Sequence, residues 1–233
     1  MSAELIERYN QVLQRIQKAV EQANRSSDSV ALLAVSKTKP VEDIEVLAEQ
    51  GQKSFGENYL QEALQKIDLH PNLDWHFIGP IQSNKTKPIA EHFNWVHSVD
   101  RLKIAQRLSH QRPEQLEPLN ILLEVNISSE ASKAGFTPEE LMEAAPQIAA
   151  LPNLRLRGLM AIPQAATGLE NQRIPFAKMR QLLESLQKEL PECQLDTLSM
   201  GMSGDLEAAI LEGATIVRIG TDIFGARDYS NKN

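Results

Sequence analysis

The stretch Val30-Ala31-Leu32-Leu33-Ala34-Val35-Ser36-Lys37-Thr38-Lys39-Pro40 sets the pattern on which the rest of the chain is built. Its first half is rich in branched apolar residues and carries no charge, which predicts a buried strand. Lys37 follows where the chain leaves the core, and Pro40 is suited to the start of a helix. A lysine at the end of a buried strand is a candidate for amine chemistry, although such a lysine is also often a solvated charge that closes the strand.

The same unit of strand and helix recurs along the chain. Short apolar runs predict further strands near positions 53–55, 75–78, 95–98, 119–127, 154–162, 197–200 and 216–219. Apolar residues at helical spacing follow each of the first seven strands, and an amphipathic helix that contains Leu5 and Tyr9 precedes the first. Repeated units of this length indicate parallel strands.

Eight such units in 233 residues favour a closed barrel. We predict an α/β fold with a single domain over residues 1–233, a (β/α)8 barrel of the TIM type, with a leading helix over residues 1–25 packed on it. The runner-up is an open, doubly wound sheet, because patterning alone discriminates poorly between topologies.

Composition narrows the classes of function. The net charge of -7 disfavours binding to nucleic acid or to anionic membranes. The single cysteine, Cys193, cannot form an internal disulfide, and no signal peptide or apolar run of ~18 residues is visible. We expect a cytoplasmic protein without a membrane span. The histidines lack metal-ligand spacing, so no metal site is expected.

Polar residues gather where the predicted strands end, which is where barrels of this type carry their chemistry. Ser203 and Gly204 follow the seventh strand, and Gly220-Thr221 follows the eighth. Backbone N–H groups and a serine hydroxyl at such turns suit a phosphate group. Each piece alone has a plainer explanation, since Ser203 is a good helix N-cap and glycines make turns. Asp205 adds negative charge and would have to point away.

Taken together, these pieces indicate one ligand. Lys37 faces a phosphate-sized cup across the barrel, with Arg218 between them. A phosphate-bearing aldehyde that bridges the cup and the lysine fits this arrangement, which points to pyridoxal 5′-phosphate held by Lys37 as a Schiff base. Nearby cations, for which Lys39 and Arg218 are candidates, would favour the neutral amine that this bond requires.

Several ordered motifs resemble the pyridoxal phosphate homeostasis protein family over nearly the whole chain. They are Ala34-Val35-Ser36-Lys37-Thr38-Lys39, Phe55-Gly56-Glu57-Asn58, Trp75-His76-Phe77-Ile78-Gly79-Pro80, Gln82-Ser83-Asn84-Lys85, Arg157-Gly158-Leu159-Met160, Ser199-Met200-Gly201-Met202-Ser203 and Arg218-Ile219-Gly220-Thr221. The resemblance implies a barrel like the N-terminal domain of alanine racemase, with pyridoxal phosphate bound to the lysine of the first strand.

The resemblance also implies roles for individual residues. It places Lys37 at the Schiff base, Arg218 opposite the pyridine nitrogen and Asn58 close to the cofactor. It implies that three residues bind the phosphate group, namely Ser203, Gly220 and Thr221. Met200 is included in the cofactor site as well, although packing at the barrel mouth is the role that its side chain favours.

The same resemblance bears on catalysis. Racemases with this barrel use a tyrosine from a partner subunit and carry a further β-domain, whereas this chain ends about a dozen residues after the last predicted strand. An arginine beside the pyridine nitrogen disfavours protonation of the ring and weakens it as an electron sink. We expect a protein of pyridoxal phosphate homeostasis without evident turnover. An amino-acid racemase and a barrel enzyme for another phosphorylated ligand remain the alternatives.

Pyridoxal phosphate is the expected partner, together with transient contact to apoenzymes that use it, and the chain is expected to be a monomer. The roles of Lys39, Lys85 and Lys133 stay open at this point.

Overall fold

The computed structural model describes residues 2–131 and 134–226. Each strand pairs in parallel with the next, and the last pairs in parallel with the first, which closes the barrel. The strands are β1 (Ala31–Val35), β2 (Ser54–Glu57), β3 (Asp74–Phe77), β4 (Trp95–Val99), β5 (Leu119–Glu124), β6 (Leu154–Met160), β7 (Thr197–Ser199) and β8 (Ile216–Ile219). The predicted (β/α)8 barrel is confirmed, and the open sheet is excluded because β8 and β1 are hydrogen-bonded.

Helices surround the barrel and alternate with its strands. They are α1 (Ser2–Gln22), α2 (Val41–Glu49), α3 (Leu60–Leu69), α4 (Thr86–His92), α5 (Leu102–Gln111), α6 (Pro138–Ala149), α7 (Leu169–Glu189), α8 (Leu206–Leu211) and α9 (Thr221–Phe224). The short α9 extends the predicted pattern to the last strand.

The leading helix α1 packs on the outside of the barrel next to α2, α8 and α9. Its buried residues Leu5, Tyr9, Val12 and Ile16 recur at three- and four-residue spacing, which places them on one face. The Tyr9 hydroxyl donates to Gln52 Oε1 at 3.0 Å, so this tyrosine belongs to the packing of α1. Helix α6 begins at a capping box, in which Thr137 and Glu140 satisfy each other's backbone N–H groups.

Within residues 2–131 and 134–226, no helix is both long enough and apolar enough to cross a membrane.

Candidate functional site

A cavity of about 300 Å³ opens at the carboxyl ends of β1, β7 and β8, and this volume lies at the lower end of the range for ligand pockets. Its lining residues are Val35, Lys37, Asn58, Ile78, Ile162, Met202, Ser203, Gly204, Arg218, Gly220 and Thr221. The structure therefore brings six of the seven predicted site residues together around one space. Met200 is the exception, because it does not line the cavity.

Lys37 lies between a buried residue and a strained turn. Ser36 before it is fully buried, and its backbone N–H donates to Gly56 O at 3.0 Å. Thr38 after it has φ of 64°, which is unusual for a β-branched residue. The Thr38 N–H donates to Glu62 Oε1 at 2.6 Å, which holds this backbone in place. The backbone on both sides of Lys37 is thus fixed by hydrogen bonds.

A buried ionic group, here named the Lys66 cluster, lies beneath Lys37 and consists of Ser36, Glu57, Glu62 and Lys66. The Lys66 ammonium donates to Glu57 Oε1 at 2.6 Å, to Glu62 Oε1 at 2.8 Å and to Ser36 O at 2.8 Å. Burial raises the pKa of Glu57, and Lys66 opposes that shift. The cluster anchors the strand end that carries Lys37.

Sequence reasoning missed Lys66. The only signal for it was its position in the apolar stripe of α3, next to the buried Ala63 and Ile67. A lysine on the buried face of a helix needs a partner, because unpaired charges are rarely found in protein interiors.

Asn58 contributes an unsatisfied polar atom to the cavity wall. Its Oδ1 is buried and accepts no hydrogen bond from any residue that the structure describes. Gly79 packs directly on the Asn58 backbone, where an added Cβ would lie 2.5 Å from Asn58 O. The glycine allows this close contact, which fixes Asn58 beside the cavity. A bound group that carries a donor would satisfy this amide oxygen.

The loop between β7 and α8 forms one wall of the cavity. The backbone N–H groups of Ser203 and Gly204 donate to no acceptor in the described part of the chain. The expectation that Ser203 caps α8 is wrong, because the N-cap position belongs to Asp205. The Asp205 carboxylate instead accepts from the Met202 N–H at 2.8 Å. Asp205 does not line the cavity, so no carboxylate lies among the lining residues next to these two N–H groups.

Gly201 explains why the two methionines of this loop lie in different environments. Its φ is 100°, and an added Cβ would lie 2.6 Å from Ala209 Cβ, so only glycine fits. The chain turns here, which leaves Met200 fully buried in the core and puts Met202 on the cavity. The prediction placed Met200 in the cofactor site. The structure gives it the packing role and gives Met202 the contact with the cavity.

An arginine of α1 ties together the two segments that follow β7 and β8. The Arg15 guanidinium donates to Glu207 at 2.8 Å, to Asp222 at 2.7 Å and to Ser203 O at 3.0 Å. The leading helix thereby fixes the loop that carries Ser203 relative to α9. The sequence indicated only the amphipathic pattern of α1 and gave no sign of this contact.

Arg218 lies on β8 and is 4% exposed. Its guanidinium donates to Ser199 Oγ at 2.6 Å and to Ala161 O at 3.1 Å. Burial lowers the pKa of Arg218 to about 10, and Asp205 and Glu124 oppose that shift. At neutral pH the side chain is therefore a fixed cation on the inner wall of the cavity. His76 does not line the cavity and is hydrogen-bonded inside the barrel to Asp74 and His97.

The remaining lysines are placed differently. Lys39 lines a small side cavity of about 40 Å³ next to Lys37, and its ammonium donates to Ala226 O at 3.1 Å. Lys85 is exposed and does not line the main cavity. Lys133 lies outside the described residues.

Comparison with known proteins identifies the family. The family model described as "Alanine racemase, N-terminal domain" matches residues 11–228. A protein of Pseudomonas aeruginosa is 59% identical over 229 residues, which cover 97% of this chain and 96% of that one. A protein of Pasteurella multocida is 55% identical over 224 residues, covering 94% of this chain and 96% of that one. Both are named pyridoxal phosphate homeostasis protein.

The chain belongs to the pyridoxal phosphate homeostasis protein family.

Solved structures agree with this family. PipY of Synechococcus elongatus, described with PLP bound, is 36% identical with a TM-score of 0.79, covering 90% of this chain and 100% of that one. A protein from Bifidobacterium adolescentis, described as an unknown protein, is 33% identical with a TM-score of 0.87, covering 96% of this chain and 95% of that one. An alanine racemase of Clostridium difficile has 16% identity and a TM-score of 0.68, covering 94% of this chain and 57% of that one, so it supports the fold alone.

Proposed function

We propose that this chain binds pyridoxal 5′-phosphate reversibly through a Schiff base on Lys37 and takes part in intracellular pyridoxal phosphate homeostasis. One observation carries the proposal: a single cavity combines the Lys37 amine, the free N–H groups of Ser203 and Gly204, and the cation of Arg218. The names of the relatives and the PLP-bound PipY support the same ligand.

The residues present fit each part of this ligand. Ser203 and Gly204 on one loop, and Gly220 and Thr221 on the other, would hold the phosphate, because their hydroxyl and backbone N–H groups suit an anion. Arg218 would face the pyridine nitrogen. Asn58 has an amide oxygen in need of a donor at the cavity wall, which a ligand group or a ligand-bound water would supply.

We further propose that the chain holds its cofactor without catalytic turnover. Bound pyridoxal phosphate supplies an electrophilic carbonyl and, when its ring is protonated, an electron sink. Arg218 is cationic at neutral pH, and a second positive charge beside it is unfavourable, so this residue disfavours ring protonation. Neither Tyr9 nor Tyr59, the tyrosines within the described ranges, lines the cavity as an acid or base. Tyr229 lies outside those ranges.

An absorption titration with pyridoxal phosphate tests the anchor. The native chain is expected to develop the absorption band of a protein-bound Schiff base, and Lys37→Ala is expected to lose it. Lys39→Ala is the matched control, because Lys39 is the nearest lysine along the chain and lines only the side cavity. Persistence of the band in Lys37→Ala, with the fold confirmed by circular dichroism, would remove Lys37 from this role.

Incubation with amino acids in deuterium oxide tests the absence of turnover. Incorporation of deuterium at Cα across a panel of amino acids, lost in Lys37→Ala, would establish the racemase alternative instead. No incorporation above the rate with free pyridoxal phosphate is the expected result.

The expected assembly is a monomer in which residues 1–233 form one domain, and the expected further partners are apoenzymes that use pyridoxal phosphate. Light scattering of the purified chain checks the first point, and the rate of cofactor transfer to such an apoenzyme checks the second. Direct contact predicts a transfer rate that rises with apoenzyme concentration, whereas release into solution predicts a rate that does not.

A further inference from the structure

A continuous row of hydrogen bonds crosses the interior of the barrel and ends on Arg218. We name it the histidine chain, and it consists of Asp74, His76, His97 and Ser199, with Arg218 as its second charged end. Asp74 Oδ2 lies 2.8 Å from His76 Nε2, and His76 Nδ1 lies 2.8 Å from His97 Nε2. His97 Nδ1 lies 2.8 Å from Ser199 Oγ, which accepts from Arg218 at 2.6 Å.

The two ends of the histidine chain lie on opposite faces of the barrel. Asp74 begins β3, and its half-exposed carboxylate also accepts from Ser54 Oγ at 2.9 Å. Arg218 lines the cavity at the other face. The histidines between them are buried, and His76 stacks on Trp95 with ring centroids 5.4 Å apart. The row of hydrogen bonds therefore connects the half-exposed Asp74 at one face of the barrel to Arg218 in the cavity at the other face.

The chemistry of the two end groups fixes the direction of every hydrogen bond. Arg218 can only donate, and the ionised Asp74 carboxylate can only accept. With both histidines neutral, each ring donates from Nε2 and accepts at Nδ1, and the Ser199 hydroxyl donates to His97. All four hydrogen bonds are then satisfied and run in one direction, from Arg218 to Asp74.

A protonated histidine does not fit this row equally well. If His76 carried a second proton, His97 would have to donate from Nδ1 to Ser199. The Ser199 hydroxyl would then have no acceptor among its contacts in residues 2–131 and 134–226. Burial, His76 and Arg218 together hold the pKa of His97 well below its usual range, which agrees with a neutral ring. In this row the charges therefore lie on Asp74 and Arg218, and the two histidine rings between them are neutral.

We propose that Asp74, His76, His97 and Ser199 are positioning residues, which orient the Arg218 guanidinium in the cavity through a one-directional hydrogen-bond chain from the opposite face of the barrel. The proposal rests on the proposed function for what Arg218 faces, but the direction of the chain does not depend on any ligand. A carboxylate far from the cavity thereby adjusts the cation that lines it.

Nuclear magnetic resonance of the ¹⁵N-labelled full chain without ligand tests the direction. Long-range ¹⁵N–¹H correlations distinguish the two neutral tautomers and the protonated ring of each histidine. His76 and His97 are both expected as neutral Nε2–H tautomers at pH 7. An Nδ1–H tautomer or a protonated ring at His97 would overturn the proposal, and this measurement requires no substitution.

Asp74→Asn tests whether Asp74 influences the Arg218 guanidinium through the row, because the amide can donate to His76 and reverse the hydrogen bond between residue 74 and His76. The variant is expected to change the tautomers of His76 and His97 together and to weaken pyridoxal phosphate binding by roughly threefold to tenfold. Asp196→Asn is the matched control. Asp196 precedes β7 on the same barrel face, and it pairs with Arg157, which is not part of the histidine chain. The control is expected to keep both tautomers and the native affinity.

The outcomes separate the two proposals. If Asp74→Asn leaves both histidine tautomers and the affinity unchanged, the positioning role is wrong while the anchor on Lys37 stands. If the native chain forms no adduct with pyridoxal phosphate, the proposed function fails, and the tautomers of the ligand-free chain still decide the direction of the row.

Discussion

Two buried polar groups support different residues of the cavity wall, Lys37 and Arg218, and they differ in where their charges lie. The Lys66 cluster beneath Lys37 places an ammonium and two carboxylates in direct contact. The histidine chain beneath Arg218 has charge only at its ends, joined by neutral rings and a hydroxyl. Buried polar groups of this fold can therefore fix a site residue either by compact ion pairing between a strand and a helix or by a row of neutral hydrogen bonds inside the barrel.

The two arrangements predict different losses of unfolding free energy when one of their residues is replaced. Removing one partner of a buried ion pair leaves the other charge without compensation, which costs more than losing a neutral hydrogen bond. The Lys66 cluster should therefore dominate stability, whereas the histidine chain should act mainly on the orientation of Arg218.

The largest expected effect is that of Lys66→Met. It leaves the Glu57 carboxylate buried without its ammonium and should lower the free energy of unfolding by about 3 to 5 kcal/mol at neutral pH. The loss should shrink at acidic pH, because a protonated Glu57 no longer needs a charged partner. Urea denaturation at several pH values measures both effects.

Lys85→Met is the control for this prediction, because Lys85 is exposed and its loss should change the unfolding free energy by less than about 0.5 kcal/mol. A loss of equal size in both variants would mean that the Lys66 cluster contributes nothing special to the fold.

Ser199→Ala should have a smaller effect. It removes the hydroxyl between His97 and Arg218 and should lower the free energy of unfolding by about 1 to 3 kcal/mol. Ser98→Ala is a matched control, because the Ser98 hydroxyl is also buried but has no hydrogen-bond partner within the described ranges. The control should be neutral or slightly stabilising, and an equal loss in both serine variants, measured by urea denaturation, would contradict the comparison.

The smallest expected effect is a pH dependence at the mouth of the barrel. Burial and Asp100 raise the pKa of Glu124 to about 7, and Arg218 opposes that shift. The folded state binds this proton more tightly than the unfolded chain, whose glutamate pKa is about 4.3. The stabilising contribution of the protonated Glu124 is therefore complete below about pH 4.3 and is lost as the pH rises through 7.

Glu124→Gln should flatten this part of the stability curve, by on the order of 1 kcal/mol after screening by solvent at the barrel mouth. Thermal unfolding between pH 4.5 and 8 measures the difference, with Glu117→Gln as an exposed control. Curves that stay parallel for Glu124→Gln and the native chain would show that Arg218 does not share its surroundings with a titrating carboxyl group.

The sequence predicted those features of the fold and the site that depend on local patterns of residues. Apolar runs and helical spacing predict the barrel, because each strand and helix is specified by its own continuous stretch of sequence. Lys37 and Arg218 were found because each lies on or just after a predicted strand. Lining residues such as Ile78 and Ile162 were missed, since an apolar residue at a strand end carries no sign of what it faces.

The supports of the site could not be predicted from local patterns. His97 and Ser199 are 102 residues apart, and Arg15 is 188 residues from the carbonyl of Ser203 that it contacts. Met200 lies in the core and Met202 lines the cavity because the positive φ of Gly201 breaks the strand alternation between them. Only the closed barrel brings such distant side chains together.

Reduction with borohydride tests the central claim most directly. The native chain is incubated with pyridoxal phosphate, reduced, digested and mapped by mass spectrometry, so that the stable secondary amine marks the anchoring lysine. We predict one modified residue, Lys37, at near-stoichiometric yield with a small excess of ligand. Modification at Lys39 or Lys66, or a low yield spread over the exposed lysines, would contradict the account.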